Sequence, residues 1–162
     1  MTFKKTNALR ILDEAGIDYI TRSYTVDESD LSAVHVAKKL GLEASQTFKT
    51  LVAKGDRTGV LLACIPGDAQ LDLKALARSS GNKRVEMVPL KAVFDLTGYV
   101  RGGVSPLGLK KNFPLVVDEL ALIYDCISIS AGVRGLQILL NPEALVALTS
   151  AILADLSRFE PE

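Results

Sequence analysis

The sequence reads Phe48-Lys49-Thr50-Leu51-Val52-Ala53-Lys54, then Gly55-Asp56-Arg57-Thr58-Gly59, then Val60-Leu61-Leu62-Ala63-Cys64-Ile65. Two apolar runs of strand length on either side of a five-residue segment that contains glycine predict a β-hairpin. Because the strands of a hairpin are antiparallel, this stretch argues against a regular series of parallel βαβ units. We therefore expect a mixed α/β or α+β fold with a hairpin-rich sheet.

Helix and strand signals alternate on both sides of this hairpin. Three helices, each with a capping side chain before it and a glycine after it, are predicted at residues 6–15, 32–40 and 73–80. Short strands are predicted at residues 17–25, 83–88, 115–118, 126–130 and 136–140, and a short helix follows Pro89. A last helix is predicted from residue 142 to about residue 158, and the face that should pack on the sheet consists of Leu145, Leu148, Ile152 and Leu156.

The composition is that of a folded protein. The chain has 162 residues, 48% of them apolar, which predicts one domain over residues 1–162 with a continuous core. Nineteen basic side chains balance nineteen acidic ones, and this balance excludes a protein that coats nucleic acid through excess charge alone. Cys64 and Cys126 lie in apolar runs and are expected to be buried thiols.

We expect a cytoplasmic protein that does not enter membranes. No apolar run approaches the roughly 20 residues that a membrane-spanning helix needs. The segment Met1–Thr6 is not followed by the apolar core of a secretion signal.

Several common catalytic arrangements are missing. His35 is the only histidine, and no Gly-x-Ser-x-Gly motif is present, so an ordinary Ser-His-Asp hydrolase is not expected. No histidine or cysteine pair has zinc-ligand spacing, and we expect neither a metal nor a cofactor. His35 is predicted on the polar side of its helix, where Lys38 and Lys39 would disfavour its charged form, and a surface role is favoured over catalysis.

Three stretches could bind a ligand, although each also has an ordinary structural explanation. In Phe48–Leu51, an inward lysine would need an anion or acceptors, and the tetrapeptide alone favours a lysine that faces solvent. Residues 97–108 contain four glycines, which could leave backbone N–H groups free for an oxyanion or could form an irregular connection. The glycines of residues 129–136 are explained by a hairpin turn.

Taken together, in this order and spacing, the three stretches resemble the YbaK family of aminoacyl-tRNA editing proteins. The strongest matches are Thr97-Gly98-Tyr99, Gly102-Gly103-Val104-Ser105-Pro106-Leu107-Gly108, and Ser130-Ala131-Gly132 with Arg134-Gly135-Leu136. The resemblance covers nearly the whole chain. It implies a mixed, largely antiparallel, barrel-like sheet surrounded by helices, as in the editing domain of bacterial prolyl-tRNA synthetases.

The resemblance also implies an activity and partners. The expected reaction is hydrolysis of mischarged tRNA, chiefly cysteine on proline tRNA, with the substrate's own thiol attacking its carbonyl to release a thiolactone. Such a reaction needs no catalytic triad, because a thiol is intrinsically nucleophilic. The expected partners are the 3′ end of the mischarged tRNA and, in a transient complex, prolyl-tRNA synthetase, and the expected state is a monomer.

The resemblance assigns roles to individual residues. Lys49 matches the family's key lysine and would anchor the substrate near the ester or the terminal ribose-phosphate. The backbone amides around Gly102 and Gly103 match the oxyanion-binding loop. Residues that would orient the amino acid or the terminal adenosine are Tyr24, Thr50 and Ser130, and residues that would shape the loop are Ser105 and Pro106.

Two departures from the family pattern put the amino-acid preference in question. Gln137 stands where some relatives carry an acid, and an amide cannot neutralise the substrate ammonium. Around Leu31 and Ser32 the chain is one residue shorter than some relatives and lacks their aromatic residue. A deacylase for alanine or serine, and a non-catalytic module that binds tRNA or a synthetase, therefore stay open. The presence of both Lys49 and the glycine pair favours an enzyme.

Overall fold

The computed structural model describes residues 5–160. The argument against a secretion signal rests on residues 1–6, and residues 1–4 of this segment lie outside the described range. Within residues 5–160, no helix combines the length and the apolar composition needed to cross a membrane.

Helices and short strands alternate along the chain, as the sequence predicts. The helices are α1 Asn7–Glu14, α2 Ala33–Leu40, α3 Leu73–Ser80, α4 Leu90–Thr97 and α5 Pro142–Thr149, with 3₁₀ turns at Ala44–Gln46 and Glu119–Ile123. The strands are β1 Tyr19–Ser23, β2 Phe48–Gly55, β3 Gly59–Pro66, β4 Gln70–Leu71, β5 Val85–Met87, β6 Leu115–Asp118, β7 Ile127–Ser130, β8 Leu136–Leu140, β9 Ile152–Ala154 and β10 Ser157–Arg158. The predicted caps Thr6, Ser32 and Asp72 each accept a hydrogen bond from the first turn of their helix.

The predicted hairpin is confirmed, and its turn is shorter than expected. Strands β2 and β3 pair antiparallel from Phe48 opposite Pro66 to Gly55 opposite Gly59, which leaves three residues in the turn. The Asn82 side chain accepts hydrogen bonds from the turn amides of Arg57 and Thr58 at 2.8 and 3.0 Å. A Cβ atom at Gly55 would lie 2.3 Å from Asn82 Cγ, so glycine is needed there.

The strands form two main sheets, and the expected mixed, largely antiparallel fold is confirmed. One sheet has the order β5-β2-β3-β6-β9, in which β6 is parallel to both neighbours. The other has the order β1-β8-β7 and is antiparallel. Within residues 5–160, one isolated bridge, between Thr47 and Ser128, links the two sheets, so the arrangement is barrel-like without closing.

The five-stranded sheet separates two apolar clusters, because successive side chains of a strand point to opposite faces. Leu62 and Cys64 of β3 contribute to the cluster covered by α1, α4 and α5, whereas Leu61 and Ile65 contribute to the cluster beneath α3. Cys64 is fully buried, as predicted, and burial raises the pKa of its thiol to about 12. Cys126 is only partly buried.

The predicted last helix is wrong beyond Thr149. Ser150 adopts a left-handed backbone conformation with φ of 54°, and Ile152–Ala154 forms β9, parallel to β6. Ile152 is exposed, and Leu156 is buried in the cluster beneath α3 rather than beside Leu145. The apolar spacing of residues 150–158 is compatible with a helix. The structure holds the segment extended instead, because β6 pairs with it and the buried Asp118 carboxylate accepts hydrogen bonds from it. The Asp118 side chain accepts the backbone N–H of Leu156 at 3.0 Å and the hydroxyl of Ser157.

Candidate active site

A cavity of about 340 Å³ opens along the first half of β2. Strand β5 pairs only with Ala53–Gly55 of β2, so the earlier residues of β2 have an edge that β5 does not cover. The cavity is enclosed by the start of α2, by β2, by the β5–α4 segment, by the glycine-rich loop and by the β7–β8 pair. Its lining residues are Leu31, Ser32, Ala33, Val36, Thr47, Phe48, Lys49, Thr50, Leu51, Val52, Met87, Val88, Leu90, Val93, Arg101, Gly102, Val104, Ser130 and Gln137.

The structure brings five of the nine predicted site residues into this cavity. They come from four separate parts of the chain, and they are Lys49, Thr50, Gly102, Ser130 and Gln137. The other four, Tyr24, Gly103, Ser105 and Pro106, do not line it.

Lys49 is half-buried and lines the cavity, which differs from the solvent-facing position that its tetrapeptide alone favours. Its Nζ donates a hydrogen bond to the carbonyl oxygen of Gly67 at 3.1 Å. Burial lowers the pKa of Lys49, and the nearby carboxylate of Asp68 opposes this shift. Glycine is needed at position 67, since a Cβ there would lie 2.6 Å from the carbonyl oxygen of Thr47.

The glycine-rich loop offers fewer free amides than its sequence suggests. The N–H of Gly103 donates to the carbonyl oxygen of Val100 at 2.8 Å, and Gly103 is buried. Neither Gly102 nor Val104, which both line the cavity, has a partner for its amide within residues 5–160. Gly102 has φ of +84°, a conformation that favours glycine. Of these three amides, those of Gly102 and Val104 are therefore available to a ligand, whereas that of Gly103 is not.

Ser130 and Gln137 face each other across the β7–β8 pair. The hydroxyl of Ser128 donates to Gln137 Oε1 at 2.8 Å, so the amide oxygen is occupied and the side-chain NH₂ group is left as the donor. Ser130 Oγ accepts the backbone N–H of Gly132 at 3.1 Å. Its own hydroxyl hydrogen is therefore available to a ligand. Thr50 lies on β2, directly opposite Cys64.

The predicted residues outside the cavity lining have structural contacts. The backbone N–H of Tyr24 donates to the carbonyl oxygen of Gly135 at 2.9 Å. Ser105 is fully buried, and its Oγ accepts the N–H of Leu107 at 3.3 Å. Pro106 is buried beside it.

Sequence reasoning missed Arg101 and the apolar rim of the cavity. Arg101 lies within the glycine-rich loop, and its carbonyl oxygen accepts a hydrogen bond from Arg134 Nε at 2.7 Å. Its position beside Gly102 in the sequence could have identified Arg101 as a residue of the site. Met87 and Leu90 line the opposite rim and are exposed, and nothing in their local sequence distinguished them from core residues.

His35 lies outside the cavity lining, in different surroundings from those predicted. Its ring nitrogens lie 3.6 Å from Asp27 Oδ2 and 3.7 Å from Asp30 Oδ2, two carboxylates that the prediction did not include. Within residues 5–160, no three histidine, cysteine or acidic side chains are grouped so that they could hold a metal ion.

Comparison with known proteins defines the class to which this fold and cavity belong. The profile described as "Aminoacyl-tRNA editing domain" matches residues 28–148, and the chain belongs to this family. It is 47% identical to the "Putative Cys-tRNA(Pro)/Cys-tRNA(Cys) deacylase EbsC" of Enterococcus faecalis, over 98% of this chain and 97% of that protein.

Two further relatives bear on substrate choice. The "Multifunctional Ser/Thr-tRNA deacylase ProXp-y" of Escherichia coli is 32% identical over 65% of this chain and 66% of its own length. A solved structure described as "a putative trans-editing enzyme for prolyl tRNA synthetase" superposes with a TM-score of 0.80 and 29% identity, over 93% of this chain and 92% of that one.

Proposed function

We propose that this protein is a trans-editing hydrolase that cleaves mischarged tRNA, chiefly cysteine on proline tRNA. The observation that carries the proposal is the environment of Lys49. An ammonium group has three N–H donors, and Gly67 occupies one of them. The remaining donors are available at a half-buried position in a cavity of about 340 Å³, where a charged group strongly favours an oxygen-rich ligand.

The proposed reaction uses the thiol of the substrate. The cysteine thiolate attacks the ester carbonyl carbon, the bond to the ribose oxygen breaks, and this oxygen leaves with a proton as the hydroxyl of the released tRNA. The amino acid departs as a cyclic thiolactone, which water opens. A thiol with a pKa of about 8.5 supplies a few per cent of thiolate at neutral pH. The protein has to hold the thiol and the ester close together and stabilise the oxyanion.

The cavity residues suit these tasks. The amides of Gly102 and Val104 are the donors for the oxyanion, and Lys49 holds the ester or the terminal ribose-phosphate. Ser130 and Gln137 offer hydrogen-bond donors from the opposite wall. Apolar side chains such as Val36, Phe48 and Val88 surround these groups and limit the size of the amino acid.

The proposed partners follow from the family. The protein acts on the 3′ end of the tRNA as a monomer and forms a transient complex with prolyl-tRNA synthetase. The solved relative described as a trans-editing enzyme for that synthetase supports this partnership. Tyr24, Ser105 and Pro106 act from outside the cavity lining by supporting the walls.

The test compares proline tRNA charged separately with cysteine, alanine and serine, using the purified full chain. Cleavage of the cysteine ester alone supports the thiol-assisted reaction. A second readout is the pH profile after subtraction of uncatalysed hydrolysis. The rate with the cysteine ester should rise toward the thiol pKa of about 8.5, because the thiolate is the nucleophile. Failure to cleave any ester would contradict the enzyme assignment and favour a binding module.

Deacylation of serine esters is the second candidate. It is favoured by the relative named as a Ser/Thr-tRNA deacylase, and by Gln137, which offers a donor to a polar substrate side chain. A serine ester lacks a thiol able to cyclise, so water or another group would have to attack the ester. Equal rates with serine and cysteine esters would support this candidate.

A further inference from the structure

A second concave surface lies next to the cavity, and most of the charged residues that line it are lysine or arginine. This basic groove has a volume of about 550 Å³ and lies between the end of β2, the N-terminal half of α3 and β5. Its cationic side chains belong to Lys54, Lys74, Lys83 and Arg84. The chain as a whole has no net charge, so this concentration is a local feature.

The four cations are free to bind an external anion. All four residues are exposed, and none forms an ion pair within 4.0 Å in the described part of the chain. Two carboxylates also line the groove, those of Asp56 and Glu86, which leaves an excess of two positive charges. The Asp56 carboxylate is already engaged, since its Oδ1 accepts the backbone N–H groups of Lys83 and Arg84 at 2.9 and 3.2 Å.

The groove and the cavity are lined by neighbouring residues of the same two strands, β2 and β5. Along β2, Val52 lines the cavity and Lys54 lines the groove, and along β5, Met87 lines the cavity and Glu86 lines the groove. Val52 and Lys54 are two residues apart on this regular strand, so their side chains share a face and their Cα atoms lie about 7 Å apart at 3.4 Å per residue.

We propose that the basic groove binds the sugar-phosphate backbone of the tRNA beyond the terminal nucleotide that occupies the cavity. The proposal rests on the proposed function, because the cavity must hold the 3′ end. Free lysine and arginine side chains bind phosphates without reading sequence. The groove would therefore add affinity for any tRNA and leave the choice of tRNA to the synthetase.

The test removes two groove charges with the double variant Lys83→Gln/Arg84→Gln. The hydrogen bonds of these residues to Asp56 use backbone N–H groups, so the substitutions retain them. The matched control is Arg10→Gln/Lys38→Gln, which removes two exposed charges on α1 and α2, outside both the cavity and the groove.

The first readout is binding of uncharged proline tRNA, measured by fluorescence anisotropy over a series of salt concentrations. The groove variant should bind more weakly, and the slope of log affinity against log salt should fall by about 1 for each phosphate that the variant no longer neutralises. The control should keep the wild-type slope. Equal binding by wild type and groove variant would overturn the proposal, whatever the outcome of the activity assays.

The second readout separates the groove from the reaction. With cysteinyl-tRNA, the groove variant should raise KM by about fivefold or more at unchanged kcat, because only substrate binding is weakened. The cysteinyl ester of adenosine lacks the sugar-phosphate backbone, so the groove variant should cleave it with the same kcat and KM as the wild type. If the wild type cleaves neither substrate, the proposed function is contradicted. The anisotropy measurement still tests whether the groove binds tRNA. If the variant loses only the stimulation by added synthetase, the groove binds an acidic protein surface and the proposal is wrong.

Discussion

The hydroxyl of Tyr99 lies 2.6 Å from the carbonyl oxygen of Leu107 and closes the glycine-rich loop that carries Gly102. The same hydroxyl lies 3.0 Å from the carbonyl oxygen of Gly108. Burial raises the pKa of Tyr99 to about 12, so the phenol keeps its proton at neutral pH and acts as the donor. Gly132 packs against the ring, where a Cβ atom would lie 2.8 Å from Tyr99 Cε1. Tyr99 therefore fixes the glycine-rich loop against the turn between β7 and β8, two segments that border the cavity.

We expect Tyr99→Phe to destabilise the protein and to slow deacylation. Loss of the hydroxyl leaves buried carbonyl oxygens without a donor, which costs about 1–3 kcal/mol in free energy of unfolding. Urea denaturation and kcat/KM measure the two effects. Tyr19→Phe is the matched control, because the Tyr19 hydroxyl donates to Asp13 in an exposed position. Unchanged stability and activity in Tyr99→Phe would show that ring packing alone positions the loop.

Lys49→Ala should lower kcat/KM for the cysteinyl ester of adenosine by at least about tenfold, or about 1.4 kcal/mol of transition-state stabilisation. The reason is the loss of the ammonium donors that face the cavity. The small ester removes any contribution of the basic groove. Lys38→Ala, an exposed lysine on α2, controls for net charge. A wild-type rate in Lys49→Ala would refute the anchoring role.

The lowered pKa of Lys49 predicts how stability depends on pH. Because burial makes the folded state bind this proton more weakly than the unfolded state, the wild type gains stability as pH rises toward the ordinary lysine value of 10.5. The free energy of unfolding of the wild type should therefore rise relative to that of Lys49→Met over this window. Chemical denaturation at several pH values measures the difference, and Lys38→Met makes the same charge change at an exposed position. A constant difference would contradict burial of the ammonium.

Gly102→Val should reduce kcat/KM by at least about tenfold, because a side chain at φ of +84° strains the loop and displaces the backbone of the lining residues proposed to bind the oxyanion. Backbone strain of this kind costs about 1–3 kcal/mol, which a folded domain survives. Gly41→Val is the matched control, since Gly41 has φ of +70° with nothing within 4 Å of its ideal Cβ position. Both variants should lose similar stability, whereas only Gly102→Val should lose activity. Normal turnover in Gly102→Val would remove the oxyanion assignment.

Asp118→Ala should release the C-terminal strands from the sheet. The buried carboxylate accepts hydrogen bonds from the amides of Leu120 and Leu156 and from the Ser157 hydroxyl. Their removal should lower the free energy of unfolding by about 2–4 kcal/mol. Hydrogen exchange at Ile152–Ala154 should accelerate. Asp155→Ala, an exposed neighbour, should change stability by less than about 0.5 kcal/mol.

Local patterns were sufficient for most of the fold and for part of the site. The hairpin, the capped helices and the short central strands follow from apolar runs and capping residues, which act over a few positions. The matches at Lys49, Thr50, Gly102, Ser130 and Gln137 selected residues that share one cavity. The solvent-facing interpretation of Lys49 failed because four residues cannot reveal that β5 leaves the edge of β2 uncovered.

The sequence by itself determined the class of fold and the family, because these depend on short-range periodicity and on motifs. The tertiary structure decided three further points through contacts between distant segments. Residues 152–158 are extended rather than helical, because they pair with β6 and donate hydrogen bonds to the Asp118 carboxylate. The turn bond from Gly103 to Val100 occupies the Gly103 amide, whereas the amides of the lining residues Gly102 and Val104 have no partner within residues 5–160. Strands β2 and β5 joined a basic groove to the cavity, although the chain carries no net charge.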